Sequence, residues 1–237
     1  SAAKTTIATS TASAVNVFGF DEVSYAQIHA PIDLYDYLEL SFMVKLQLPN
    51  GLLYLQPSEH CFFSIYSQNA FLTVHYTTAD AHAILSSQHP LSLGAWHRVE
   101  VWRSGRAVLL KIDDQPWIED RIKKSDVEED ELQKSSKAVA YFGGAPTAEI
   151  SPSLPVRNGL SGCMKKIYHN GRFVDLKRDA LATRKMHQCG WDACADVHCQ
   201  AQAQCMAYRA TPYCRCRFPT FGLNCEKRFL EYDLEHQ

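Results

Sequence analysis

Six cysteines crowd one stretch near the end of the 237-residue chain, at Cys194, Cys199, Cys205, Cys214, Cys216 and Cys225, spaced C-x4-C-x5-C-x8-C-x-C-x8-C. That stretch has almost no apolar run, so an even and dense cysteine set predicts a disulfide framework in place of a hydrophobic core. Disulfides persist only in oxidising compartments, which puts the working environment outside the cell. Spacing alone leaves the connectivity open. Zinc competes as an explanation, with His198 nearby, but no pair has the C-x2-C geometry that a tetrahedral site prefers.

Elsewhere cysteine is scarce, and the first 160 residues contain only Cys61. Two stabilising strategies therefore share one chain: a larger unit able to bury its own core, and a small stapled one. A net charge of −2 gives no reason to expect nucleic acid or an anionic membrane as partner. No apolar stretch approaches the length of a membrane span, and the chain opens without a signal-peptide signature. The expectation is a piece of a longer extracellular protein. No N-x-[ST] sequon is present. Residues 1–14 are Ser/Thr/Ala-rich and read as a flexible linker.

From Val15 the texture turns to short strands. Leu38, Leu40, Phe42, Val44 and Leu46 alternate with polar or smaller residues and share one face. Pro49-Asn50-Gly51 supplies a turn before Leu52-Leu53-Tyr54-Leu55. Phe62–Ser67 and Phe71–Thr77 form a hairpin about Gln68-Asn69-Ala70. A second hairpin joins Trp96–Arg103 to Arg106–Asp113: Val99 and Val101 face one way, as do Val108, Leu110 and Ile112. Ala138–Phe142 ends at Gly143-Gly144. Strands at this spacing, with little helical periodicity, predict an antiparallel sandwich or barrel. Lys124–Lys134 is highly charged and reads as a solvated loop or one short surface helix. Trp96 is expected to anchor the core, and Cys61 to be a small buried hydrophobe heading the Phe62 strand rather than a partner-linking thiol.

An enzyme is not expected. Glycoside hydrolases need two carboxylates facing each other across a cleft, and no strand here aims alternating carboxylates at one face. G-x-S-x-G, H-E-x-x-H and phosphate-cradling glycine loops are missing.

Four landmarks then occur in order: Asn50-Gly51-Leu52-Leu53-Tyr54; Trp96-His97-Arg98-Val99-Glu100-Val101-Trp102-Arg103-Ser104-Gly105-Arg106 with Leu110-Lys111-Ile112-Asp113; Tyr141-Phe142-Gly143-Gly144; and Gly162-Cys163 through Asn170-Gly171 to Val174-Asp175-Leu176. Together they make residues 15–189 resemble a laminin G-like domain. The resemblance implies an all-β, antiparallel jelly-roll sandwich with Cys163 paired to Cys189. Residues 190–227 resemble an EGF-like module, which implies Cys194–Cys205, Cys199–Cys214 and Cys216–Cys225. Residues 228–237 are left as a tail or linker. The module lacks the family's calcium, hydroxylation and O-glycosylation residues, so it reads as a spacer or buttress. Trp191, Tyr208 and Phe218 either dock it on the sandwich or cover its own sparse interior.

Some laminin G-like domains hold Ca²⁺. Here Cys61 stands where an acidic ligand is wanted, leaving Glu59 and Asn158 as candidates, and the expectation is no cofactor, with Ca²⁺ as the minority reading. The family also implies partners: a glycosaminoglycan such as heparan sulfate or a glycosylated cell-surface receptor, bound through basic patches. The candidates are Lys165, Lys166 and Arg172 around Asn170-Gly171, and Arg121, Lys123 and Lys124. The expected function is non-catalytic recognition or adhesion in a larger matrix or guidance protein. The alternative is a spacer or regulatory segment in a membrane-anchored adhesion receptor, acting on neighbouring modules.

Overall fold

The computed structural model describes residues 16–30, 37–58, 61–77, 81–121, 139–190, 194–208 and 211–229. The alternation read between Leu38 and Leu46 becomes strand β3 (Tyr37–Leu46), in which those five apolar side chains are at most 1% exposed. A pleated strand sends neighbouring side chains to opposite faces, so this pattern fixes which side meets the core.

Two antiparallel sheets form the larger part of the molecule. The first runs β10 (Ile118–Arg121), β9 (Ala107–Ile112), β8 (His97–Ser104), β3, β12 (Gly162–His169), β1 (Val17–Phe20) and β15 (His187–Gln188), with β13 (Arg172–Val174) also paired to β12. The second runs β14 (Ala180–Arg184), β2 (Tyr25–His29), β11 (Val139–Phe142), β4 (Gly51–Pro57), β5 (Phe62–Gln68), β6 (Phe71–Thr77) and β7 (His82–Ser86). Their inner faces pack a single core that includes Phe42, Leu53, Ile65, Val101, Phe142 and Met164. Burying each such side chain contributes roughly 1.5–3 kcal/mol. With almost no helix among the described residues, the all-β sandwich expected from the sequence is what forms.

The outer faces differ. Over the second sheet, Ile150, Leu154 and Val156 cover Leu52, Leu55, Phe62, Tyr66 and Tyr141 as a separate apolar cluster. Strand β4 is therefore buried on both sides and shows no alternation. The first sheet has no such roof among the described residues, and Tyr37, Trp102, Trp117, Tyr168 and Phe173 reach solvent.

Two details explain local sequence. Gly162 sits at φ +155°, and a β-carbon there would run into the Lys45 carbonyl of the neighbouring strand, so the Gly-Cys landmark marks a close backbone approach. Arg103 points inward yet is accommodated: its guanidinium lies 4.2 Å over the Tyr76 ring, and Nε donates to the Gly105 carbonyl at 3.1 Å.

Four disulfides join Cys163–Cys189, Cys194–Cys205, Cys199–Cys214 and Cys216–Cys225, with Cα separations of 5.7, 5.9, 5.6 and 5.3 Å. The last three hold two small ribbons, β16 (Gln204–Tyr208) with β17 (Thr211–Arg215), and β18 (Thr220–Phe221) with β19 (Lys227–Arg228). In this region Cys225 is the one described apolar residue that is buried. Phe221 and Phe218 gather on Phe229, at 4.4 and 6.1 Å between ring centroids, while Tyr208 and Phe218 stay exposed.

Two expectations need correcting. Trp96 is half-buried rather than a core anchor: it shares parity with Arg98 and Glu100, opposite to the buried Val99 and Val101, and so faces outward. Cys61 is also only half-buried, and belongs to none of the four disulfides. The charged run 124–134 lies outside the described residues.

Candidate recognition surface

Strand β4 separates the two halves of the expected calcium set. At its start, Leu52 N–H donates to the Asn158 carbonyl at 2.9 Å; past its end, Ser58 N–H donates to the Cys61 carbonyl at 2.9 Å. The strand's rise puts roughly 17 Å between Leu52 and Pro57. Asn158 therefore does not stand with the β4–β5 connection. Its amide Nδ2 instead donates to Glu22 Oε1 at 3.0 Å. Glu59 lies outside the described residues, and no cluster of three or more His, Cys, Asp or Glu fit for a metal occurs among the described ones. The described residues do not fit Ca²⁺, because Cys61 offers sulfur and Asn158 is at the wrong end.

The basic candidates part company in a similar way. The β12–β13 hairpin does turn at Asn170-Gly171, both residues with positive φ as a tight two-residue turn requires. Arg172 pairs with the inward-facing His169, and its guanidinium lies 4.0 Å from Asp179. Lys165 lies on the outer face, and Lys166 occupies an irregularity in the β12–β3 pairing with φ of 50°. No contact or shared partner ties these three together among the described residues. Arg121 is tied to Glu119 at 2.8 Å, and Lys123 and Lys124 lie outside the described residues.

A different basic cluster does converge. On the outer face of the first sheet, Lys165 pairs with Met43 and Met43 with Arg98, while Val44 pairs with His97. That register sets Lys45 beside Trp96. The Lys165 ammonium lies 4.1 Å and the Lys45 ammonium 5.3 Å from the Trp96 ring centroid. Each contact is worth about 0.5–1 kcal/mol at an exposed site. Neither ammonium, nor the Arg98 guanidinium, forms an ion pair with a carboxylate among the described residues. The nearby Asp113 carboxylate accepts from Arg98 N–H at 2.7 Å and bonds His97 Nδ1 at 2.8 Å. The two ammoniums are less than 10 Å apart by these distances, and their mutual repulsion is on the order of 0.4 kcal/mol in water. An anion placed between them would offset that. Parity along β3 and β8 puts Lys45 and Arg98 outward, but only the pairing register reveals that Lys45 and Lys165 meet at Trp96, with Arg98 across from Met43 on the same face.

Further along the same face the side chains become aromatic. Trp102 and Trp117 stand 5.6 Å apart, the Lys111 ammonium lies 5.7 Å over Trp117, and Tyr168 packs on Phe173 at 5.5 Å. Lys111 is 3.9 Å from Glu100, so this end carries balanced charge.

Inside the sandwich, Tyr54 O–H donates to Gln56 Oε1 at 2.9 Å and lies 2.9 Å from His169 Nε2. The hydroxyl proton is thus spent, and His169 donates from Nε2. Its Nδ1 is buried with no partner. Burial pushes the His169 imidazole down to about 4 and the Tyr54 hydroxyl up. His75, packed edge-on against Phe62 at 4.9 Å, is lowered by burial and then by His82. These are neutral core histidines.

The laminin G domain model matches residues 44–172, more than half of the chain. Pikachurin of Rattus norvegicus is 25% identical over 217 residues, covering 87% of this chain and 21% of that protein. The basement membrane-specific heparan sulfate proteoglycan core protein of Mus musculus is 28% identical over 213 residues, 86% of this chain and 6% of that protein. The chain thus spans about a fifth or less of the length of these relatives. Among solved structures, domains LG4-5 of the mouse laminin alpha1 chain superpose with a TM-score of 0.62 at 18% identity, covering 80% of this chain and 48% of that one. Four disulfides and relatives of matrix and adhesion type make it an extracellular chain. By the match over its strands and landmarks, the chain belongs to the laminin G domain family.

Proposed function

We propose that the chain is a non-catalytic recognition piece of a larger extracellular matrix or guidance protein, a sandwich over 15–189 followed by an EGF-like unit over 190–227. It binds a sulfated glycosaminoglycan, or a receptor bearing acidic glycans, through the bare outer face of the first sheet. The observation that carries this reading is the set of uncompensated cations around Trp96: Lys45, Lys165 and Arg98. Anionic polymers favour such clusters because each contact releases condensed counterions. The name of the murine proteoglycan relative, which mentions heparan sulfate, lends support by kinship.

The test is the salt needed to elute the chain from immobilised heparin. Charge reversal at Lys45 and Lys165 lowers that salt markedly, whereas reversal at Arg121, whose charge is already matched by Glu119, changes it little. Unchanged retention of the Lys45/Lys165 variant removes the proposal.

The spacer reading, within a membrane-anchored adhesion receptor, draws on the 27% identity over 217 residues to Protocadherin Fat 2 of Rattus norvegicus. Sequence adjoining this piece in its parent protein decides between them, since only the second requires a membrane span downstream.

A further inference from the structure

Three connections meet at the Gly51 end of the sandwich and enclose an open cleft of about 540 Å³. They are the turn before β4, the β5–β6 turn, and the loop 155–158, with Glu22 of the β1–β2 turn completing the lining. That volume suits one or two sugar rings.

The frame is firmly tied. Asn69 N–H donates to Asn50 Oδ1 at 2.7 Å, and Ala70 N–H to the Pro49 carbonyl at 2.7 Å. Gly159 N–H donates to the Glu22 carbonyl at 2.7 Å, and Asn158 Nδ2 to the Glu22 carboxylate at 3.0 Å. Asn69 and Ala70 both hold positive φ, 51° and 64°. For alanine that conformation is strained and persists only where the surroundings over-determine it. The walls are thus set before any ligand arrives.

What the cleft leaves open is chemically specific. The Arg157 guanidinium is held in its own loop by the carbonyls of Ile150, Ser151 and Pro152, at 3.2, 3.0 and 2.9 Å. Glu22 already accepts from Asn158. The remaining hydrogen-bonding groups are neutral amides: Nδ2 of Asn50, and the side chains of Gln68 and Asn69, which make no hydrogen bond among the described residues. Each amide both donates and accepts. Leu48, 43% exposed, and Pro155 add apolar surface at the rim. Arg157 and Glu22 bring one positive and one negative charge to the lining, so the cleft as a whole is neutral and offers a lone ion of either sign no net attraction. The lining matches an uncharged ligand that mixes hydroxyls, an amide and a methyl group.

We infer that this cleft binds an uncharged N-acetylated sugar, whose acetamide pairs with the Asn50, Gln68 and Asn69 amides while its methyl rests on Leu48 and Pro155. The site is separate from the cations around Trp96, and either can fail without the other.

The experiment titrates the isotope-labelled chain with N,N′-diacetylchitobiose and follows amide resonances. Saturable shifts are expected at the side-chain amides of Asn50, Gln68 and Asn69 and in the backbone of 155–158. The double variant Gln68→Ala/Asn69→Gly loses about tenfold in affinity, and glycine at 69 suits the backbone there. Pro155→Trp, filling the cleft from its exposed rim, gives a second route to the same loss. Charge reversal at Lys45 and Lys165 leaves the titration unchanged. Absence of saturable shifts in the cleft, shifts that survive both cleft variants, or an equal response to a sulfated disaccharide would overturn the inference.

Discussion

The sandwich and the cysteine-rich end solve the same problem with different chemistry. Between residues 16 and 190 a continuous apolar core is clamped by two sheets, and one disulfide is added near its end. Between residues 194 and 229 three disulfides hold two ribbons whose aromatic side chains remain largely in solvent. Area buried scales with unit size, so a stretch this short gains little from collapse and depends on covalent closure. The contrast teaches which kinds of damage each part feels.

The largest break is expected from Phe42→Ala, which empties the centre of β3 and costs about 3–5 kcal/mol. Denaturant unfolding should show the loss in the sandwich, while the three distal disulfides still form by peptide mapping. A loss of those pairings as well would mean that the two regions are not stabilised independently. The converse variant, Cys199→Ser with Cys214→Ser, opens a 15-residue loop and costs about 3 kcal/mol. Protease cutting should then rise within 194–229 and leave the sandwich midpoint in place; a falling midpoint would contradict this.

Acid sharpens the comparison, because a large effect is built into the core of the sandwich. His169 is lowered to about 4 in the fold against 6.5 for the free side chain. The unfolded chain therefore takes up this proton first, and the stability that His169 contributes drops as pH falls from about 6.5 to about 4, levelling below. The drop is about 3 kcal/mol. His169→Gln should flatten the pH profile of unfolding; a profile that keeps its full slope would assign it to other groups. The smallest effect is expected at the surface, where Arg121→Ala breaks an exposed pair with Glu119 for less than about 1 kcal/mol. A larger shift in thermal unfolding would show that β10 matters more than its exposed edge suggests.

Legibility followed the physics of each element. Strand β3 was readable because one face is buried and the other wet, and the β5–β6 and β8–β9 hairpins because turns separate clear runs. Strands β1, β2, β7 and β14 were not, being short and held by neighbours rather than by their own pattern. Strand β4 hides its phase because the 150–156 segment buries the side that would otherwise be polar. Trp96 was misjudged by reading it as an aromatic in an apolar setting, although its parity with Arg98 already placed it outside. The basic candidates show the deeper limit. Sequence lists the cations, but Arg121 and Arg172 find carboxylates while Lys45 and Arg98 do not, and that depends on cross-strand register. The Asn158 assignment failed for the same reason, since adjacency along a motif did not reveal which end of β4 it would meet.

The bond between Cys163 and Cys189 also has a mechanical meaning. Cys163 lies deep in the first sheet beside β3 and β1, whereas Cys189 is the last cysteine before the distal six. A pull arriving from the distal end passes through that covalent bridge straight into the middle of the sheet. Residues 164–188 are short-circuited, so β13, β14 and β15 carry none of the tension and cannot be peeled away one after another.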